Sequence, residues 1–209
     1  MLTKSALRRP PRRKRGPGAA SRSAILDAAR RLWLANGPRG VSARKIAEAV
    51  GLSPTAIYLY FRNIEELLEY LRLEGHALLA GYLEAAGPEL PAVERIRAMG
   101  RAYHRFGLEH PQQYALMFNV RAEETPRHEA LVREAETLML LRRVVEEGIA
   151  TGEVRADLDP MVTTNALWAQ IHGVTALTVS RLLAETTHGD EAAVVEAVLD
   201  ATAAWIARR

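Results

Sequence analysis

Two adjacent cations, Arg44 and Lys45, are the strongest candidates for binding an anion in this 209-residue chain. They lie in the first turn of a short predicted helix that follows Ser42. A serine before a helix caps the first turn, and the helix dipole makes that turn positive. Two cations in that turn are therefore unfavourable unless an anion lies opposite them. Phosphates of a nucleic acid would supply the anion, and the alternative is a pair of solvated surface charges. We favour phosphate contact.

The next predicted helix begins with small residues, Pro54, Thr55 and Ala56. Small side chains allow a helix end to approach base edges, and the methyl groups of Thr55 and Ala56 could meet thymine methyls. Tyr58 and Tyr60 cannot both lie on the inward face of this helix. At least one hydroxyl could therefore donate to a phosphate, although one ring could instead pack against the first helix.

Three short helices are predicted to position these residues. The first runs from about residue 21 to Asn36 with one apolar stripe. Gly51 suits the left-handed position that ends the second helix, and Ser53-Pro54 starts the third as cap and first helical residue. Two short helices joined by the four-residue turn 50–53 predict a helix-turn-helix.

Charge divides the chain into a basic end and an acidic body. Residues 1–62 hold 14 Lys and Arg against two acidic residues, a net charge of +12, whereas residues 63–209 have a net charge of −9. Residues 1–18 are rich in Pro, Gly and Arg and have no apolar period, which predicts a disordered arm. We expect phosphate contacts from its basic run, which includes Arg12, Arg13, Lys14 and Arg15. A solvated tail is the alternative, and the lack of an apolar face argues against membrane binding.

The rest of the chain is also predicted to be helical, because no alternating β-branched run has hairpin turns beside it. The sequence therefore predicts an all-α fold, with an N-terminal three-helix domain and a C-terminal helical body. Apolar periodicity and Gly or Pro breaks place the later helices at about 64–86, 91–109, 111–119, 125–151, 160–187 and 190–207.

A set of aromatic, Met and His residues in the body could line a cavity. Each of them alone is more often a core residue than a ligand contact. Together they favour an apolar pocket, since ligand sites are mostly apolar with a few polar groups. The candidates are Tyr103, Phe106, Tyr114, Met117, Phe118, Met139, Trp168 and His172.

An apolar stripe on the last helix suggests a partner subunit. The helix from Met161 is apolar on more than one side and needs a further cover. Pairing of these two helices with the same pair in a second subunit would give a two-fold four-helix interface. Packing within one subunit is the alternative. The stripe consists of Val195, Val198, Leu199, Thr202 and Trp205.

Several kinds of chemistry are excluded by the sequence. Cysteine is absent, which excludes disulfides, thiol nucleophiles and cysteine metal sites. There is no His-Glu-x-x-His metal motif, nucleophile elbow or phosphate-binding glycine loop. We expect no metal, no cofactor and no enzymatic activity. No apolar run is long enough for a membrane helix and no signal core is present, so we expect a cytoplasmic protein.

The stretch Ile25–Leu68, ILDAARRLWLANGPRGVSARKIAEAVGLSPTAIYLYFRNIEELL, resembles the TetR family of bacterial transcriptional regulators. Two pieces of the body, YHRFGLEHPQQYALMFN and Trp168-x-x-x-His172-Gly173, resemble its Trp-His-Gly subgroup. Ile64 departs from the family pattern, which has a phosphate-contacting Lys there. The resemblance implies DNA contacts from Ser42, Arg44, Lys45, Pro54, Thr55, Ala56, Tyr58, Tyr60 and Asn63.

The resemblance also implies a function for each part of the chain. Residues 1–19 would be the basic arm, 20–66 the helix-turn-helix DNA-binding domain, and 67–209 the effector-binding and dimerisation domain. The implied protein is a homodimeric repressor that a small, largely apolar effector releases from a palindromic operator. The alternative is an effector-independent DNA-binding protein with a packed C-terminal core.

Overall fold

The computed structural model describes residues 19–118, 128–187 and 190–208, and the described part is helical with no strand. A single antiparallel bridge joins Val154 to Ala207. One 3-10 turn, Gly37–Gly40, follows the first helix. The helices are α1 (Ala19–Asn36), α2 (Ala43–Val50), α3 (Pro54–Ile57), α4 (Ile64–Glu84), α5 (Ala92–Glu109), α6 (Pro111–Phe118), α7 (His128–Thr151), α8 (Pro160–Val179), α9 (Leu182–Thr187) and α10 (Glu191–Ile206).

Local capping residues set the helix boundaries in the N-terminal part. The Ser42 hydroxyl accepts from the Lys45 amide at 3.3 Å, and the Ser53 hydroxyl accepts from the Ala56 amide at 3.2 Å. Gly51 ends α2 in the left-handed conformation with a φ of 68°. The Asn63 side chain accepts from the Glu66 amide at 2.8 Å and starts α4. These bonds satisfy amides that have no partner inside their own helix.

Two apolar cores are built around the single helix α4. Leu67 and Leu71, from its first half, belong to the core of the N-terminal helices. Leu79 and Leu83, from its second half, belong to the core of the C-terminal body. One continuous helix therefore joins the two cores. The other buried members of the N-terminal core are Ile25, Ala28, Ala29, Trp33, Ile46, Ala47, Ile57, Phe61 and Leu116.

Helix α6 forms a second link between the two cores. The Trp33 indole donates to the Gln112 carbonyl at 2.8 Å, which ties α1 to α6. The Gln113 side chain donates to the Leu71 carbonyl at 2.6 Å, which ties α6 to α4. Leu116 packs in the N-terminal core. A displacement of α6 would therefore be felt by both α1 and α4.

Two predicted helices differ from the structure. The third is a single turn, Pro54–Ile57, which continues as hydrogen-bonded turns through Tyr60. The helix predicted over 160–187 breaks after Val179, because Arg181 takes a positive φ of 63°. The Ser180 hydroxyl donates to the Leu177 carbonyl at 3.1 Å, which offers the backbone an alternative to helix continuation.

Among the described residues, no helix is both long and apolar enough to span a bilayer.

Candidate functional site

The predicted DNA-contacting cations lie on the surface of the N-terminal part. Arg44 and Lys45 are both exposed in the first turn of α2. Ser42 is half-buried, and its hydroxyl is used to cap this turn. The arm residues Arg12, Arg13, Lys14 and Arg15 lie outside the described residues. The exposed first turn of α2 therefore presents a positive dipole end and two cations to solvent.

The start of α3 forms the neighbouring part of this surface. Pro54 and Thr55 are exposed, and Ala56 is half-buried. The Tyr58 side chain is 51% exposed, whereas Tyr60 is partly buried and packs against the N-terminal core. The structure therefore leaves Tyr58 free to reach a phosphate and favours a packing role for Tyr60.

Leu59 is a member of this surface that the sequence analysis missed. It is 73% exposed, the most exposed large apolar side chain in the described part of the chain. Ile57 and Phe61, two positions to either side, are fully buried. Their spacing was the signal that could have identified Leu59, because a residue midway between two inward positions points outward.

Two residues at the start of α4, Asn63 and Ile64, have structural contacts within the chain, and the DNA contact of Asn63 stays a prediction. Asn63 caps α4 with its side chain, and Ile64 packs against the N-terminal core. The apolar side chain of Ile64 is thus explained by packing.

A cavity of about 330 Å³ lies in the C-terminal body. This volume is at the lower end of the roughly 300–1,000 Å³ that is usual for small-molecule sites. The cavity is mostly apolar and is lined by residues of α4, α5, α6, α7, α8 and α10. Three of the predicted residues, Tyr103, Phe118 and Trp168, line it.

Two polar residues of the lining, the buried His76 and the half-buried Arg97, were not among the predicted pocket residues. His76 is 5% exposed, and burial lowers the pKa of its imidazole to about 4. Its Nδ1 atom has no hydrogen-bond partner. The Nε atom of Arg97 is also buried and without a partner. The available signal at His76 was its position three and seven residues before the apolar Leu79 and Leu83, whereas the charged neighbours Glu94 and Arg101 gave no such signal at Arg97.

Comparison with known proteins gives the family of the chain. Residues 25–71 match the family described as "Bacterial regulatory proteins, tetR family". Residues 96–202, about half of the chain, match "Tetracyclin repressor-like, C-terminal domain". The chain belongs to the TetR family. This confirms the family and the all-α fold with a helix-turn-helix, whereas the Trp-His-Gly subgroup stays a prediction.

Individual relatives of this TetR-family chain are distant. The HTH-type transcriptional regulator Rv1816 of Mycobacterium tuberculosis is 26% identical over 136 residues, which cover 63% of this chain and 58% of that protein. The structure of a protein with unknown function from Rhodococcus sp. RHA1 matches with a TM-score of 0.78 at 25% identity, over 94% of this chain and 100% of that one. The transcriptional regulator FadR from Bacillus subtilis, solved in complex with stearoyl-CoA, shares the fold with a TM-score of 0.66 at 22% identity, over 87% and 97% of the two chains.

Two predicted pocket residues of this TetR-family chain are used in packing instead. Phe106 is fully buried, and its ring meets the Tyr82 ring edge-on at 5.6 Å. Met117 lies over Gly75, where an added Cβ would come within 2.6 Å of the Met117 sulfur. Neither lines the cavity, because each fills a tight contact between helices.

Tyr114 and His172 form a polar network beside the cavity. The hydroxyls of Tyr103 and Tyr114 lie 2.8 and 2.9 Å from the His172 Nδ1 atom. Burial raises the pKa of Tyr114 to about 12 and lowers the pKa of His172. Only Tyr103 of the three lines the cavity. Met139 is also absent from the lining and lies 3.9 Å from the Arg142 Nη1 atom.

The apolar stripe of α10, which was predicted to contact a partner subunit, is largely buried within the single chain. Val195, Leu199 and Thr202 are buried within the single chain, and Val198, Leu199 and Thr202 line the cavity. The assignment of Val195, Leu199 and Thr202 to an intersubunit surface is therefore wrong, because the chain's own core already covers them. Val198 is half-buried, and its place in the interface stays a prediction. Trp205 differs, since 37% of it remains exposed.

No metal site is evident in the part of the chain that the structure describes, where no three His, Asp or Glu side chains are grouped to hold an ion.

Proposed function

We propose that this TetR-family chain is a DNA-binding transcriptional repressor that a small apolar effector releases from its operator. One observation carries the proposal: α4 belongs both to the core beneath the helix-turn-helix and to the wall of the cavity. The alternative of an effector-independent binder requires a packed body, and the cavity of about 330 Å³ counts against it.

The DNA contacts follow from the exposed residues of α2, of α3 and of the turn that follows α3. Arg44 and Lys45 would contact phosphates, and Tyr58 would donate its hydroxyl to another. Thr55 and Leu59 would face the base edges. Leu59 is left mostly exposed by the described part of the chain, and a thymine methyl group is the apolar feature that the major groove offers.

Effector release would act as a shift between two conformations. An effector that prefers one position of α4 and α6 moves the equilibrium by its difference in affinity for the two states. Through Trp33 and Gln112, α6 would transmit this preference to α1. A new spacing between two DNA-binding surfaces then no longer fits both half-sites.

A different face of α8 and α10 would form the homodimer interface. Val162 and Leu177 are 67% and 44% exposed on α8. At Gly173, between them on the same side of the helix, an added Cβ would meet no atom of the chain within 4 Å. The neighbouring α10 exposes Ala193, Ala197, Ala201, Ala204 and Trp205. Small residues on two adjacent helices permit the close packing of a two-fold four-helix interface.

Selection of DNA from a random duplex pool, followed by sequencing of the bound fraction, tests the proposal. We expect a two-fold-symmetric site. Arg44→Ala should weaken binding to that site, whereas Arg143→Ala, which removes an exposed arginine of the C-terminal body, should not. Recovery of unenriched sequence, or equal binding by the two variants, would contradict specific DNA recognition through α2.

A further inference from the structure

The charge of the cavity wall bears on which ligands it can hold. Among the described lining residues, Arg97 is the only one with a permanent charge, and none is acidic. The remaining polar lining residues are His76, Tyr103, Thr137, Asn165 and Thr202, and the rest of the wall is apolar. A ligand therefore meets one cation in an apolar environment.

The positive charge of Arg97 is already compensated from outside the cavity. Its Nη2 atom bonds to the Asp200 carboxylate. A Glu94 oxygen lies 3.8 Å from Nη1, and a Glu196 oxygen lies 4.0 Å from Nη2. Arg101 shares Glu196 through a contact of 2.6 Å. Three carboxylates thus surround two guanidinium groups, so the cluster carries no surplus positive charge.

The Nε donor of Arg97 is buried and has no acceptor, whereas Nη2 bonds to the Asp200 carboxylate and Nη1 lies 3.8 Å from a Glu94 oxygen. Leaving a buried donor unsatisfied is costly, and a ligand acceptor would recover that cost. A single fixed donor suits a carbonyl oxygen. An ionised carboxylate needs several donors or an unpaired cation before burial becomes favourable.

A second polar residue of the wall is also unsuited to charge. His76 lines the cavity from α4, and burial lowers the pKa of its imidazole to about 4, so this side chain stays neutral near pH 7. The desolvation that keeps His76 neutral would also oppose an ionised ligand group.

We propose that the cavity binds an uncharged, largely apolar molecule with one carbonyl-type acceptor directed at Arg97, such as an ester, a ketone or an amide, and that it discriminates against carboxylates. This inference rests on the proposed function, because it names the chemical class of the effector for the same cavity.

A matched pair of test ligands, decanoate and methyl decanoate, separates the two chemistries. They share their acyl chain and differ in charge. Trp168 lines the cavity, so binding to the full chain at pH 7.5 can be followed through its fluorescence, with Trp168→Phe as the control that loses the signal. We expect methyl decanoate to bind at least about tenfold more tightly than decanoate.

A charge variant tests the role of the carboxylate cluster. Asp200→Asn removes one carboxylate partner of Arg97. The affinity for decanoate, relative to that for methyl decanoate, should rise by about two- to fivefold, which is the size of a solvent-exposed ion-pair interaction. Asp157→Asn, which changes a surface ion pair with Arg155, is the matched control and should leave the ratio unchanged.

Each outcome decides the inference. Equal or tighter binding of decanoate by the parent chain would overturn it and would leave the cavity as an effector site. An unchanged ratio in Asp200→Asn would overturn the electrostatic reason for it. Binding of neither ligand would overturn the inference together with the effector part of the proposed function. The DNA selection would still report separately on the DNA-binding part.

Discussion

Acid should destabilise the fold through His76, the buried imidazole on the wall of the cavity. In the unfolded chain this side chain has a pKa near 6.5, and in the folded chain burial lowers the pKa to about 4. Below pH 6.5 the unfolded chain therefore binds a proton that the folded chain does not bind until near pH 4. The free energy of unfolding falls as the pH falls through this window.

The size of the effect follows from the two pKa values. One pKa unit corresponds to about 1.36 kcal/mol, so the complete shift is worth about 3 kcal/mol below pH 4. Between pH 7 and pH 5 the loss due to His76 alone is about 2 kcal/mol. His104 and His172 also have lowered pKa values and act in the same direction, but both remain in a His76→Leu variant and therefore cancel in a comparison with the parent chain.

Urea unfolding measures the loss in the free energy of unfolding between pH 7 and pH 5. The parent chain and His76→Leu are compared at one protein concentration. The leucine side chain cannot bind a proton, so the variant should lose about 2 kcal/mol less than the parent between the two pH values. The comparison of pH dependences removes any constant stability change caused by the substitution itself. Equal losses in both chains would refute a buried neutral His76.

Three further predictions concern the DNA surface, the dimer face and a helix cap. Leu59→Ala should weaken operator binding by about 0.8 kcal/mol for each methylene that the interface buries, while Leu108→Ala should have no effect. Replacement of thymine by uracil in the operator should weaken binding by the parent chain and leave binding by Leu59→Ala unchanged. An equal loss of binding in both proteins would exclude a contact between Leu59 and the thymine methyl group. Ala197→Glu should give monomers in sedimentation at micromolar concentration, whereas Ala77→Glu, on the exposed face of α4, should stay dimeric. A dimeric Ala197→Glu would place the interface elsewhere. Asn63→Ala should lower the free energy of unfolding by about 0.5–2 kcal/mol in urea, and an unchanged value would show that the cap is replaced by water.

Much of the N-terminal part could be predicted from the sequence because its signals are local. Ser42, Gly51 and Asn63 each act on backbone groups within a few residues. The burial of Ile57 and Phe61 follows from their four-residue spacing. Such signals depend on sequence separation alone, so no knowledge of the distant chain is needed to interpret them. The length of α3 was the exception. One helical turn followed by tight turns buries Ile57 and Phe61 just as a longer helix would, so their spacing does not distinguish the two.

The neighbour that covers the apolar stripe of α10 could not be predicted in the same way. Periodicity identifies the stripe that includes Val195 and Leu199, but the chain's own core and a partner subunit would both be able to bury it. The bulkier side chains fill the space beside α5 and α8, and the alanine face is left outside. Periodicity fails here because it shows which side of a helix is apolar and not which neighbour covers that side.

The sequence by itself determined the all-α fold, the helix-turn-helix and the basic end of the chain, because caps, apolar spacing and charge act over short separations. Only the tertiary structure decided which side chains surround the cavity. His76, Arg97 and Trp168 are far apart in the chain and meet only when their helices pack. The contact of Met117 with Gly75 likewise depends on how closely α6 approaches α4. Packing of close-fitting side chains is a property of the assembled helices, and no single segment encodes it.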